Sequence, residues 1–394
     1  STQPTSQPSH RLPWKQVLFL FGSFSSFYQS FTLPEASSFL YSPSSIIFGS
    51  KSLSSSALTV NVSCSSVSCR YPVAHISSSY KRDTTSRAAV VPGDVNGDAY
   101  NDLIVCSPLT SVCNIYFGKE EDGLRNVMIG VTIYGPSSSS TTSSSSSSQP
   151  AATFFGFAVA GAEDMNEDGL ADVLVSSLTG RAVYVIYGRR SWSSVFRVSE
   201  MRSGEDGYKI VADSSTTLTG ISVSGVGDMN GDGRKDVALS VQRGGLFMVY
   251  VIWGEGGVGG SDVLLDEVVN GLKGFSVTGE QGYYTGLSIS GLGDVNNDGL
   301  DDLVIGAIPY PDRAKNPPQK SYVILGSSAG LSDIVLGGSV VGVVSIVGGG
   351  FMVSGPGDVN DDGIDDIMIT NVRDYVGKGN AYIISYPSKM SSAP

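Results

Sequence analysis

The chain has 394 residues, with 25 Lys and Arg against 37 Asp and Glu and a formal net charge of −12. That balance argues against a nucleic-acid binder, which needs a basic patch to meet phosphate. Two histidines, His10 and His75, leave a His-based catalytic triad barely available, and no apolar run reaches the 18 or more residues of a membrane span.

In chain order, residues 1–22 read as an arm. A Ser/Pro-rich start leads to "QVLFLFG" (16–22), an apolar stretch that predicts a strand. Residues around 22–80 contain "YSPSSIIFGS" (41–50) and one N-glycosylation sequon headed by Asn61. Four cysteines lie in two close pairs, Cys64/Cys69 and Cys106/Cys113, and allow three connectivities. Local pairing is the expectation and buried free thiols the alternative.

From Gly93 a nine-residue pattern, D-x-N-x-D-[GA]-x-x-D, occurs five times, with steps of 70, 64, 66 and 64 residues between first aspartates. Repetition at a fixed period decides architecture before any single element does. Each copy has a metal-site reading. Positions 1, 3 and 5 supply side chains from one tight turn, the carbonyl of position 7 points inward, and the Asp at position 9 closes the site. The five sets are Asp94, Asn96, Asp98, Tyr100 and Asp102; Asp164, Asn166, Asp168, Leu170 and Asp172; Asp228, Asn230, Asp232, Arg234 and Asp236; Asp294, Asn296, Asp298, Leu300 and Asp302; and Asp358, Asn360, Asp362, Ile364 and Asp366. If the closing Asp binds through both oxygens and one water joins, seven oxygens result, which suits Ca²⁺ better than the strict octahedron of Mg²⁺. With no Cys or His in the loops, zinc is disfavoured. About five Ca²⁺ would also balance most of the negative charge. The first loop departs at position 6, where Ala99 replaces Gly.

An EF-hand needs Glu at position 12 and flanking helices. Position 12 is instead Val105, Val175, Leu239, Ile305 and Ile369, inside short β-branched runs that read as buried strands. Before each loop stands a Gly-punctuated alternating run such as "ISVSGVGD". After it come the buried strand, a turn, a third strand ending near Gly ("VYVIYG", "SYVILG") and a fourth apolar run ("GFSVTG", "VVSIVG"). Four short strands per repeat of about 65 residues and no helix predict an all-β fold, a single β-propeller.

The pairing of "FFGFAVAGA" with the D-x-N-x-D-G-x-x-D loops resembles the FG-GAP repeat of the integrin α-subunit propeller. The resemblance covers roughly residues 85–386. It implies Ca²⁺ in each loop on one face of the disc, and does not by itself imply integrin function. Five loops imply five blades. Residues 22–80 add a degenerate, metal-free one, giving about six, with seven as the alternative. The domain division is then an arm, 1–22, and a propeller, 23–394, with a Ser/Thr-rich insertion at 136–150. The arm could complete the last repeat near residues 381–386 in its own molecule or a neighbour's.

The sequon, the low-complexity tract and calcium loops favour an extracellular or cell-surface setting. An enzyme is not expected, because every repeated carboxylate is assigned to metal and no stretch singles out the pair that a propeller glycosidase would need. Two readings remain. One is a structural or assembly subunit of a surface fibre or matrix, pairing with copies of itself through the arm. The other is an adhesion module for a protein or carbohydrate, with "PYPDRAKNPPQ" (309–319) as a contact loop or simply a solvated hairpin.

Overall fold

The computed structural model describes residues 45–47, 73–75, 88–119, 129–136, 153–254, 261–268, 271–310, 317–373 and 378–385. The arm, Asn61, Cys64, Cys69 and the tract 137–150 lie outside the described residues, as does the core of the 309–319 insertion.

The described residues are nearly all β. One short 3₁₀ turn, Leu265–Glu267, is their only helical element. Each repeat builds one antiparallel sheet. The first holds Ala88–Gly93, Asp102–Ser107, Val112–Tyr116 and Ile129–Tyr134. The second holds Phe155–Glu163, Asp172–Ser177, Ala182–Ile186 and Gly207–Val211; the third, Thr216–Gly227, Asp236–Arg243, Leu246–Ile252 and Gly274–Thr278. The fourth holds Tyr283–Gly293, Asp302–Pro309, Lys320–Ile324 and Val343–Val347, and the fifth only Val353–Gly357, Asp366–Arg373 and Lys378–Ile384. Upstream, Ser45–Ile47 pairs antiparallel with Val73–His75. The five repeat sheets are consistent with a β-propeller, and none closes on itself.

The second strand of each of the first four sheets is covered on both faces, which is why the sequence there shows unbroken apolar runs rather than alternation. All six residues of Asp172–Ser177 are buried. Cores form between neighbouring sheets. Leu174, Val185 and Ile210 of the second meet Val237, Leu239 and Tyr250 of the third, and Val251, Phe275 and Val277 of the third meet Leu303, Ile305 and Ile324 of the fourth.

The first strands of successive sheets lie side by side. Gly291 donates its N–H to Ser224 Oγ (3.0 Å) and Gly355 to Ser290 Oγ (3.2 Å). At Gly225, Gly291 and Gly355 a Cβ would press into the backbone carbonyl of the preceding repeat's glycine. Close backbone approach is what glycine is for at this position.

One feature goes beyond the expected four strands. The connection between third and fourth strands of a repeat sends a short strand, here termed a clip, onto the outer edge of the preceding sheet, in parallel. Val195–Arg197 pairs with Thr132–Tyr134, Val263–Leu264 with Ile210–Val211, and Ile334–Val335 with Val277–Thr278. Three sheet edges are thereby covered.

Cys106 and Cys113 face each other across adjacent strands and are disulfide-bonded, as local pairing predicts.

Candidate metal centre

Each loop sits where the first strand of a sheet turns into the second. Its position-1 carboxylate organises the turn. Asp94 Oδ1 accepts from the Gly97 N–H (2.6 Å) and Oδ2 from the Ala99 N–H (2.6 Å). The same Oδ2 bond to position 6 recurs from Gly169 to Asp164 (2.8 Å), Gly233 to Asp228 (2.8 Å), Gly299 to Asp294 (2.7 Å) and Gly363 to Asp358 (2.7 Å). Position 5 then holds position 7: Asp98, Asp168, Asp232, Asp298 and Asp362 each accept through Oδ1 from the N–H of Tyr100, Leu170, Arg234, Leu300 and Ile364, at 2.9–3.0 Å. In four loops the position-3 amide donates to position 5, as Asn96 Nδ2 does to Asp98 Oδ2 at 3.0 Å. In the fifth, Asn360 Nδ2 turns to Ser385 Oγ (2.8 Å).

The closing aspartates are buried: Asp102, Asp172, Asp236 and Asp302 at 0% exposure and Asp366 at 1%. Each accepts from the position-2 N–H: Val95, Met165, Met229, Val295 and Val359, at 2.7–3.0 Å. The first four also accept, at 2.8 Å, from the glycine two residues beyond the third strand, namely Gly118, Gly188, Gly254 and Gly326. That is the role of the recurring third-strand glycine, which sequence reading noted without explaining.

Among the described residues, no cationic side chain pairs with these closing carboxylates. Burial pushes Asp102 up to about 6 and Asp172, Asp236 and Asp302 up to about 7. Backbone N–H donors oppose the rise, and the loop's other carboxylates add to it. Among the described residues, no three acidic groups converge tightly enough to form a ready-made cage. The donor set nevertheless fits a hard cation: the groups present are carboxylate, amide and carbonyl oxygens, with buried negative charge that lacks a counter-ion.

A second set of residues, which the motif does not reveal, faces the first strands just inside the loops. The position-8 residue of one repeat occupies the space beside the residue preceding position 1 of the repeat before it. Ala171 thus lies against Gly93, and Asp301 and Asp365 lie where a Cβ on Gly227 or Gly293 would fall. The fourth pair is Glu163 and Lys235, joined at 2.7 Å. Glu163, Lys235, Gly227, Asp301, Gly293 and Asp365 line a cavity of about 340 Å³ with Gly225, Gly291 and Gly355.

No protein-family model matches the chain. Curated relatives do. Integrin alpha-3 of Cricetulus griseus is 32% identical over 164 residues, which is 39% of this chain and 14% of that protein. Integrin alpha-5 of Xenopus laevis is 29% identical over 170 residues, 40% of this chain and 15% of that protein. Integrin alpha-PS2 of Drosophila melanogaster is 32% identical over 131 residues, 31% of this chain and 7% of that protein. The chain thus spans only a small part of the length of these relatives. Repeats, loops and sheet order agree with that likeness, and over about 40% of its length the chain is related to integrin α subunits through an FG-GAP propeller region.

Proposed function

We propose that the chain is an extracellular or cell-surface propeller, stabilised by calcium in its five loops, that serves as a binding module for a protein ligand in adhesion. The observation that carries the calcium part is the buried, uncompensated closing aspartate in every loop. Asp, Asn and Asp at positions 1, 3 and 5, the position-7 carbonyl and the position-9 Asp would hold the ion. Bound Ca²⁺ supplies the positive charge that these carboxylates lack. The likeness to proteins named as integrin α subunits favours adhesion over catalysis, and nothing in the loops arranges a nucleophile or a free acid–base pair.

The ring we favour has six blades. Ser45–Ile47 and Val73–His75 pair as third and fourth strands do in the later repeats, which supports residues 22–80 as the extra blade.

The test is adhesion of cells or candidate ligand proteins to the immobilised full chain, with calcium and then with chelator, alongside thermal melting. Calcium-dependent capture together with a calcium-raised Tm supports the reading. A Tm indifferent to chelator overturns the calcium part, and capture unaffected by unfolding overturns the adhesion part.

A second reading, a fibre or matrix subunit, is favoured by the three-stranded fifth sheet, whose edge leaves Tyr382 and Ile383 exposed. Removal of residues 1–22 should abolish assembly if the arm crosses between molecules, and should lower stability if it closes its own. If neither changes, the arm has neither role.

A further inference from the structure

Twice in the chain, two consecutive N–H groups clasp two neighbouring loops. Gly188 donates to Asp172 Oδ1 in the second loop (2.8 Å), and Arg189 donates to the Val95 carbonyl in the first (2.9 Å). Gly326 donates to Asp302 Oδ1 in the fourth loop (2.8 Å), and Ser327 to the Met229 carbonyl in the third (2.8 Å).

A second bond joins the same pairs closer to the candidate ligands. The Ala171 N–H, at position 8 of the second loop, donates to the Asp94 carbonyl at position 1 of the first (2.8 Å). The Asp301 N–H, at position 8 of the fourth, donates to the Asp228 carbonyl at position 1 of the third (3.0 Å). Each donor shares a peptide plane with the position-7 carbonyl of Leu170 or Leu300, a member of the ligand set. Each acceptor shares a peptide plane with the N–H of Val95 or Met229, which donates to the closing Asp102 (2.8 Å) or Asp236 (2.9 Å). Carbonyl and N–H point in opposite directions across a trans peptide. Two peptide planes thus link a ligand of one loop to a ligand of the next. Among the described residues, no such backbone bond joins Lys235 to Asp164, or Asp365 to Asp294.

We propose that the loops bind calcium as coupled pairs, first with second and third with fourth, so that filling one member tightens the other. The inference rests on the reading of the loops as calcium sites and goes beyond it to how those sites act on one another. A peptide whose carbonyl serves as a ligand is fixed in orientation, and its N–H is then fixed on the neighbouring loop. That bond orients and polarises the next peptide, whose N–H holds the closing carboxylate. Hydrogen bonds in such a chain strengthen one another. The coupling is reciprocal by linkage, and a factor of about ten lies in its ordinary range. The second and third loops, which lack the bond, are the built-in comparison.

The probe is Ca²⁺ alone, added to chelator-stripped full-length protein. Amide hydrogen exchange is followed separately in residues 94–102, 164–172, 228–236 and 294–302, so that each loop reports its own half-saturation. Asp168→Ala disables the second loop. It should raise the calcium needed for half-protection of 94–102 about tenfold and leave 228–236 unchanged. Asp298→Ala should do the reverse, shifting 228–236 and sparing 94–102. Asp98→Ala should shift 164–172 by a factor similar to the first. All three side chains are exposed, so the fold does not depend on burying them. Asp168→Asn keeps an acceptor for the Leu170 N–H, and in that milder variant the half-saturation of 94–102 should move with that of 164–172. A weakened 164–172 beside an unshifted 94–102 overturns the proposal. An equal shift in 228–236 overturns it too, because the effect would then be a general loosening. Calcium protection in no loop overturns the calcium reading and the proposal with it, whereas protected but independent loops overturn the proposal alone.

Discussion

Lys235 Nζ lies 2.7 Å from Glu163 Oε2, joining position 8 of the third repeat to the residue that precedes position 1 of the second. Glu163 holds φ 58, where the equivalent residues are Gly93, Gly227, Gly293 and Gly357. Burial alone would lower the Lys235 pKa, yet Glu163 and Asp301 outweigh it and hold the ammonium above its ordinary value. The chain therefore fills one recurring space in two ways. It places glycine opposite Asp301 and Asp365, and an ion pair where glycine is missing. Because Glu163 is 53% exposed, Lys235→Met should cost no more than about 1 kcal/mol. Gly227→Ala should cost more, at least about 2 kcal/mol, since φ +72 and the Asp301 carboxylate both oppose a Cβ. Adding Asp301→Gly should restore part of that loss. Denaturant unfolding of the two single variants and the double gives the coupling, and strict additivity would show that the two residues do not share the space.

Ala99 holds φ 69 at position 6, where Gly169, Gly233, Gly299 and Gly363 hold 84–88°. The backbone keeps the loop's shape and the Cβ bears the strain. Ala99→Gly should stabilise the protein by about 1 kcal/mol and tighten calcium binding in the first loop. A melting curve and a calcium titration check both effects.

The closing aspartates set the pH dependence of the metal-free protein. Their folded pKa values, about 6 for Asp102 and about 7 for Asp172, Asp236 and Asp302, lie above the ordinary 3.8. Between those limits the folded state binds more protons than the unfolded, so stability falls as pH rises. Chelator-treated protein should melt at a higher temperature at pH 5.5 than at pH 8. Saturating calcium should remove or reverse that order, because it favours the ionised carboxylates. Equal Tm values at the two pH values in chelator would refute the burial argument.

Asp302→Ala should lower the number of bound calcium ions by one. It should also destabilise the chain by about 2–4 kcal/mol, because the N–H groups of Val295 and Gly326 lose their acceptor. Calorimetric titration reports the stoichiometry, and an unchanged count would remove Asp302 from the ligand set.

The loops and second strands could be read directly from the sequence because each carries its signal in adjacent residues. The carboxylates recur at fixed offsets, and Leu303, Val304 and Ile305 form an unbroken apolar run because both their faces are covered. The first strands could also be read, through alternation as in "ISVSGVGD". The clips could not. Val263–Leu264 spans two residues, too few to show a period, and its meaning lies in the edge of Gly207–Val211 more than fifty residues earlier. Asp262 and Asp333, whose carboxylates accept from Lys209 and Ser276, would have stood out only if the stretches after Gly254 and Gly326 had been laid over one another. The Glu163–Lys235 pair was hidden for a related reason. It is complementary between repeats, and a motif compared only within each repeat shows a Glu and a Lys as unrelated departures.

The clips also impose an order on mechanical failure. The outer strand of the third sheet is fastened by Ile334–Val335, which belongs to the fourth repeat, and the outer strand of the second by Val263–Leu264 of the third. A pull on the C-terminal end meets the fifth sheet first and then the fourth, and among the described residues neither edge has a clip to lose. Loss of the fourth repeat then unfastens the third sheet, loss of the third unfastens the second, and loss of the second unfastens the first, so rupture should run backwards along the chain. Each step would release about 65 residues, or roughly 230 Å of extended chain. A pull on the N-terminal side meets the first three sheets with their clips still in place, so the same molecule should resist force differently at its two ends.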